Sequence, residues 1–316
     1  MKRVRSFIWK ALSFVGIFAV FLVASLYLML LLITHGPSES ARNLFTTTLL
    51  ETGALKWVVG TVLDKNTVQK IVDSNSLVEM KSDVDDSLIN IQAENTEENT
   101  TIVEPIEIKK INGSNYSATM MIVHDPSRVS VASTYPFSTN GVTLKALVQK
   151  FNAVGGVNGG LYSQDEGRGG YPLGVVVQNN EIVFNNPTDR KGYVLVGFDT
   201  SNILRILSIE GMNAEQVENT ISENKIRDAV TFQEEASDSN NHFVKLIVNG
   251  EAREANGNGS GANPRTAIGQ TADGSVLLLV TDGRGANGHL GATAADLISI
   301  MKDYGAVNAA NIDGGS

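Results

Sequence analysis

The sequence predicts an α+β protein: a strand-dominated globular domain with a few helices, preceded by one N-terminal transmembrane helix. Three observations carry that expectation. An uncharged apolar run occupies residues 11–33; short β-branched segments separated by turn-forming pairs fill most of residues 105–316; and three helix-start signals interrupt those segments.

The apolar run comes first. At about 1.5 Å rise per residue it makes a helix about 34 Å long, enough to cross a hydrocarbon core. Lys2, Arg3, Arg5 and Lys10 lie in the cytoplasmic tail, residues 1–10, whereas the far side opens with His35, Gly36 and Pro37. This asymmetry predicts a cytoplasmic N-terminus and an exported C-terminal part. A cleaved signal peptide is the rival, but its apolar core spans only about 7–15 residues and ends at a small-residue site missing here. Residues 34–79 mix apolar helix formers with threonines and are expected as a juxtamembrane stalk. Residues 80–104 hold seven acidic residues and one lysine and are expected as a solvated linker.

Composition narrows the function. With no cysteine, the exported domain must be held by its core, which suits a bacterial surface protein. The formal charge of −9, with four basic residues ahead of the span, argues against nucleic acid as a partner. The four histidines, His35, His124, His242 and His289, are scattered, so no zinc site is expected. Asp83, Asp85 and Asp86 lack the glycine and closing glutamate of a calcium loop. No metal and no cofactor are implied, and without a Gly-x-Ser-x-Gly elbow neither is a serine hydrolase.

Within residues 105–316, strands are expected at 116–123, 129–132, 175–177, 182–184, 194–198, 203–209, 242–248, 266–270 and 275–280. Asn179-Asn180, Asn249-Gly250 and Asp273-Gly274 supply turns, because Asn and Gly tolerate positive φ. Thr143, Asn213 and Thr293 can cap helices over 144–152, 214–222 and 294–304, with Gly305 closing the last.

Four glycine-rich polar segments stand at strand ends: Asn158-Gly159-Gly160-Leu161-Tyr162, Asn263-Pro264-Arg265-Thr266, Thr281-Asp282-Gly283-Arg284 and Asn311-Ile312-Asp313-Gly314-Gly315-Ser316. Each alone reads as a turn. In this order and spacing, over residues 153–316, they resemble the phosphodiester glycosidase family, including Leu173-Gly174 and the run from Gly291 to Leu297 before the last helix. Two departures stand out. Tyr162 follows a leucine where the family commonly has paired aromatics, implying a narrower stacking platform. The sequence also stops inside the final motif, which implies C-terminal truncation.

The resemblance implies hydrolysis at a sugar linked through phosphate. Such a leaving group is already good, so the chemistry needs a carboxylate at the anomeric carbon and cations on the phosphate more than a strong general acid. The implied catalytic residues are Asp313 as nucleophile or base, Asp282 as second carboxylate, and Arg265 and Arg284 as the phosphate clamp. The implied substrate-binding residues are Asn158, Gly159, Gly160, Thr266, Asn311, Gly314 and Gly315, with Tyr162 stacking on a sugar face. The partner is then a carbohydrate phosphodiester of the cell envelope, such as an exopolysaccharide. A non-catalytic glycan-binding or assembly protein on the same fold is the alternative. Topology is testable directly: a reporter fused after Thr34 should be active only when it must fold outside the cytoplasm, and cytoplasmic activity would reverse the orientation.

Overall fold

The computed structural model describes residues 2–52, 55–91, 104–163, 169–188, 190–234 and 242–314, with side chains from Phe7 onward. The chain forms two compact units, Met1–Ser74 and Asn75–Ser316.

The first unit is helical. Helix α1 (Lys2–His35) contains a stretch, Phe7–His35, long and apolar enough to cross a membrane, a property it shares with signal sequences. Helices α2 (Glu39–Leu50), α3 (Lys56–Val62) and α4 (Lys65–Asp73) follow. Ser38 caps α2 by accepting from the Ala41 N–H, and Asp64 caps α4 by accepting from Asn66 and Thr67. Val59, Leu63 and Ile71 form their small core.

The second unit is layered. One sheet has seven strands, β1 (Ile106–Asn112), β2 (Ser117–Val123), β8 (Lys245–Val248), β9 (Glu251–Ala252), β10 (Thr266–Thr271), β11 (Val276–Thr281) and β12 (Ala306–Ile312), in the order β1-β2-β11-β10-β12-β8-β9. The other has five, β3 (Gly174–Gln178), β4 (Glu181–Asn186), β5 (Tyr193–Asp199), β6 (Leu204–Ser208) and β7 (Ile226–Gln233), in the order β4-β3-β7-β5-β6. Every pairing is antiparallel.

The strands' two-residue period builds the layers. Val194, Val196 and Phe198 of β5 meet Ile268, Leu278 and Ile312 of the larger sheet in one core between the sheets. On its opposite face β5 turns Tyr193 and Leu195 toward Val217 and Ile221 of helix α6 (Ala214–Glu223). The larger sheet likewise packs Leu277 and Leu279 against Leu297 and Met301 of helix α7 (Ala294–Asp303). The order is helix, sheet, sheet, helix, which is why β5 is buried along its whole length, with an apolar run from Tyr193 to Phe198 rather than an alternating pattern. The short helix α5 (Leu144–Lys150) lies on the surface.

The expected helix caps are in place: Thr143, Asn213 and Thr293 each accept from the N–H three residues on, and Gly305 has φ +76°. Asn179 and Asn180 (φ +52° and +64°) turn β3 into β4, and Asn249-Gly250 turns β8 into β9. The expected strand at 129–132 does not form. Its backbone is taken up by side chains, with Arg227 donating to the Val129 carbonyl and Asp228 accepting from the Val131 N–H. Strands β1, β7 and β9 were not expected; β1 is an edge strand whose charged Glu107, Lys109 and Lys110 hide its period.

The acidic segment needs a larger correction. The globular unit begins at Asn75 rather than near Pro105, and the first half of the expected linker is bound along it. Val78 N–H donates to Glu254, Arg253 Nε to Val78 and Lys245 Nζ to Ser82; Asn249 bonds both Asp83 and Asp85, and Asn90 donates to Ala272. Ile89 is buried and Asp86 pairs with Arg205. The segment that its acidic residues made look solvated is thus held mainly through its main chain, with Asp86 paired to a domain cation; residues 92–103 lie outside the described residues.

Arg253 is central to this arm. Its side chain is 5% exposed, pairs with Glu234, and also donates to Val78 and Lys245 carbonyls. Arg253→Met should therefore destabilise the unit by about 3 kcal/mol, because it leaves a half-buried carboxylate uncompensated. It should also admit protease between residues 75 and 91. Chemical denaturation and limited proteolysis read both, and wild-type values in both would show that the arm is held otherwise.

Candidate active site

The expected residues gather at one end of the larger sheet. Thr266 stands opposite Ile312 on one side and Val280 on the other, and Thr281 stands opposite Ala118. Continuing that register by one residue sets Arg265 between Thr281 and Asp313, and Asp282 beside Ser117. Main-chain bonds fix the placement: Thr281 N–H donates to Arg265 at 2.9 Å, Asp282 N–H to Ser117 at 2.9 Å, and Arg265 N–H to Thr281 Oγ1 at 2.9 Å. At about 4.8 Å between strands, the backbones of Asp282 and Asp313 lie roughly 10 Å apart across the Asn263-Pro264-Arg265 segment.

That segment is gripped by glycine on both sides. A Cβ on Gly314 would lie 2.2 Å from the Pro264 carbonyl oxygen, and one on Gly283 would lie 3.0 Å from Pro264 N. The lead-in to β10 therefore passes between the two motifs at a separation that only glycine allows.

Arg265 lies over the Phe243 ring, 5.0 Å from its centroid, and donates to Ser260 Oγ at 3.2 Å and the Gly261 carbonyl at 3.0 Å. Exposed Arg284 reaches Asn263 Oδ1 at 3.3 Å. Arg284 thus approaches the Asn263 to Arg265 segment, whereas the Arg265 guanidinium is directed toward residues 260–261 and the Phe243 ring. Asn158, half-buried, precedes a glycine pair pressed onto the second sheet: a Cβ on Gly160 would meet the Thr231 carbonyl at 2.8 Å, and Leu161 N–H donates to that carbonyl. Gly159 in turn accepts from the Asp313 N–H at 3.0 Å, so this loop joins the two sheets at the candidate carboxylate.

Two expected substrate contacts sit elsewhere. Thr266 and Asn311 are each 1% exposed, so their side chains do not reach solvent. Asn311 braces β8 by donating to the Phe243 carbonyl at 2.9 Å; its Oδ1 and the Thr266 Oγ1 have no partner among the described residues. Tyr162 is exposed, bridges to Pro172 and stands against Gly169. Gly314 lies beside Pro264, and Gly315 falls outside the described residues.

Asp282 has a partner that the sequence reading passed over. Its Oδ2 lies 2.9 Å from His289 Nδ1, and its Oδ1 accepts from the Ser117 N–H at 2.6 Å. The loop after Asp282 carries His289 back to it, through positive φ at Arg284, Gly285, Asn287, Gly288 and Gly291. Four glycines within residues 283–291 were the available signal. Ser117, Phe243, Ser260 and Asn263 also belong to the site's framework and were equally hard to single out.

These motifs stand at one end of the larger sheet in a strand-rich α+β unit. The family model for phosphodiester glycosidases matches residues 151–316, just over half of the chain. The chain belongs to the phosphodiester glycosidase family. Among solved structures, it is similar to the zebrafish N-acetylglucosamine-1-phosphodiester α-N-acetylglucosaminidase catalytic domain auto-inhibited by pro-peptide, with a TM-score of 0.47 and 20% identity, covering 71% of this chain and 75% of that one. It is also similar to a hypothetical protein from Synechocystis, with a TM-score of 0.37 and 14% identity, covering 66% and 56%. No curated protein matches.

Burial acts to raise the Asp282 pKa, but the Ser117 N–H and His289 outweigh it and hold the carboxyl below its ordinary value. A depressed folded value means that the carboxylate's contribution to stability is present above about pH 3.9 and is lost as pH falls through the lower folded value. Asp282→Asn should therefore flatten the acid side of the stability profile below about pH 4, read by thermal melts across pH. An unchanged acid limb would mean that the carboxylate gains nothing from these partners on folding.

Proposed function

We propose that the Asn75–Ser316 unit is an extracytoplasmic hydrolase of sugar-1-phosphodiester linkages in cell-envelope glycopolymers, tethered to the membrane by α1. The observation that supports this reading is the register of β10 and β12, whose Thr266–Ile312 pair, continued by one residue, would bring Arg265 beside Asp313, with Arg284 approaching the same segment. A carboxylate and two guanidinium groups in one place match a sugar carbon joined to a phosphate.

In this reading Arg265 and Arg284 hold the phosphate and take up the charge that grows on it as the bond to the sugar breaks. Asp313 attacks, or activates water at, the anomeric carbon. Asn158 and the backbone of Gly159 and Gly160 meet the sugar hydroxyls, and Tyr162 covers a sugar face. Asn311 and Thr266 act from beneath by fixing the strands. Lys2, Arg3, Arg5 and Lys10 ahead of the apolar stretch support a cytoplasmic N-terminus and an exported catalytic unit. A competing reading, a module that holds polymer without turnover, draws on the internal hydrogen bonds that already occupy Arg265.

The two readings separate in an assay of the full chain against a panel of glycosyl phosphodiesters, resolving free sugar from phosphomonoester. Asp313→Asn should keep binding and lower turnover by at least about a hundredfold, near 2.7 kcal/mol of barrier. Arg265→Lys keeps charge but loses the fork, and should weaken binding and turnover together. Release of a sugar-1-phosphate, or an Asp313→Asn variant within tenfold of the parent, would defeat the mechanism.

A further inference from the structure

The proposed chemistry gives no role to Asp282 or to His289, and the setting of His289 is that of a working imidazole. Its Nδ1 faces both Asp282 oxygens, at 3.1 and 2.9 Å, and that carboxylate is itself fixed by the Ser117 N–H. The loop is pinned around the ring: Leu290 and Gly291 N–H both donate to the Asn115 carbonyl, at 3.0 and 2.9 Å, and Gly285 N–H donates to the His289 carbonyl at 2.8 Å. The side chain is 22% exposed, and Nε2 has no partner among the described residues. A carboxylate holding Nδ1–H fixes the tautomer that leaves an open lone pair on Nε2. A histidine serving only to brace the loop has no need of that arrangement.

We propose that His289 is a second catalytic residue, the base that activates water, with Asp282 as its positioning residue rather than a second carboxylate acting on the sugar. This rests on the function proposed above and divides its labour. Asp313 attacks the anomeric carbon; the carbon–oxygen bond to phosphate breaks and its electron pair leaves with the phosphomonoester, which needs no proton. A water then forms a bond to the same carbon as the bond to Asp313 breaks and returns its electron pair to that carboxylate. The water's proton passes to His289 Nε2 and then to solvent. The backbones of Asp282 and Asp313 flank the Asn263-Pro264-Arg265 segment, about two strand spacings or roughly 10 Å apart, so a sugar and its attacking water lying across the sheet end, over that segment, would meet groups from both flanks.

The test uses the full chain and the glycosyl phosphodiester that the parent cleaves; a parent that turns over none of the panel overturns the underlying function and this assignment together. Where the parent is active, His289→Ala should lower kcat by about a hundredfold, the usual yield of a positioned base. It should still release phosphomonoester in a rapid burst of one equivalent, since only the second step is impaired, and added imidazole should restore turnover. Asp282→Asn should lower kcat with the same burst and resist imidazole, because its own ring remains in place. Thermal melts confirm that both variants fold, and His289→Gln covers the case in which alanine does not. The assignment is overturned, while the proposed function stands, if the folded variants keep kcat within tenfold of the parent, or if the loss comes without a burst and imidazole does not relieve it.

Discussion

The close approach of three backbones at Pro264 is the constraint on which the site depends. Gly283 and Gly314 press on the two sides of this proline: a Cβ on Gly314 would overlap the Pro264 carbonyl, and one on Gly283 would sit tightly against Pro264 N. Because they do, the residues preceding each of them, Asp282 and Asp313, are brought to opposite flanks of the segment that carries Asn263 and Arg265. The glycines of the two motifs thus set strand spacing at the sheet end, and the spacing sets which charged groups can share a ligand. Gly159 and Gly160 do the same in the other direction, letting a loop of one sheet reach Asp313 while resting on Thr231 of the other.

A second set of interactions fixes the frame behind the site. Buried ion pairs are costly to assemble from water, so those that persist are heavily hydrogen-bonded. Asp199 with Arg205, Arg227 with Asp228, and Glu234 with Arg253 all follow that rule; the first pair binds main chain of its own turn, and the other two also bind main chain from a distant segment. Arg227 and Asp228 hold the segment after β2, and Arg253 and Glu234 hold the arm from Asn75 onward together with the start of β8. A chain without cysteine ties its irregular segments down with these pairs.

This division explains what could be read from the sequence. Caps and hairpin turns are local chemistry, so Thr143, Asn213, Thr293, Asn179-Asn180 and Asn249-Gly250 were legible one by one. Strands β3, β5 and β11 announced themselves by apolar runs, whereas central β7 did not, because Arg227, Asp228, Thr231 and Gln233 interrupt its apolar residues. Strand β1 did not, because an edge strand of lysine and glutamate has no buried face to declare. The arm at 75–91 was misread for a related reason: it looks solvated until residues more than a hundred positions away come to meet it, Arg205 at the Asp86 carboxylate and Lys245 and Arg253 at the carbonyls of Ser82 and Val78. Asp313, Arg265 and Asp282 were found through glycine-flanked motifs, whereas Thr266 and Asn311 followed from the same motifs but face the interior. His289 escaped because its meaning lies in a loop that folds back over seven residues, which spacing alone does not reveal.

The central claim is that the bond cleaved is the one between the sugar carbon and the phosphate oxygen, with the arginines on the departing group and a carboxylate on the carbon. Hydrolysis in water enriched in heavy oxygen, followed by mass spectrometry of both products, tests it most directly. The account predicts that the label appears in the anomeric hydroxyl of the released sugar and that the phosphomonoester carries none. Label in the phosphomonoester would place the attack at phosphorus and contradict the assignment of every group in the site.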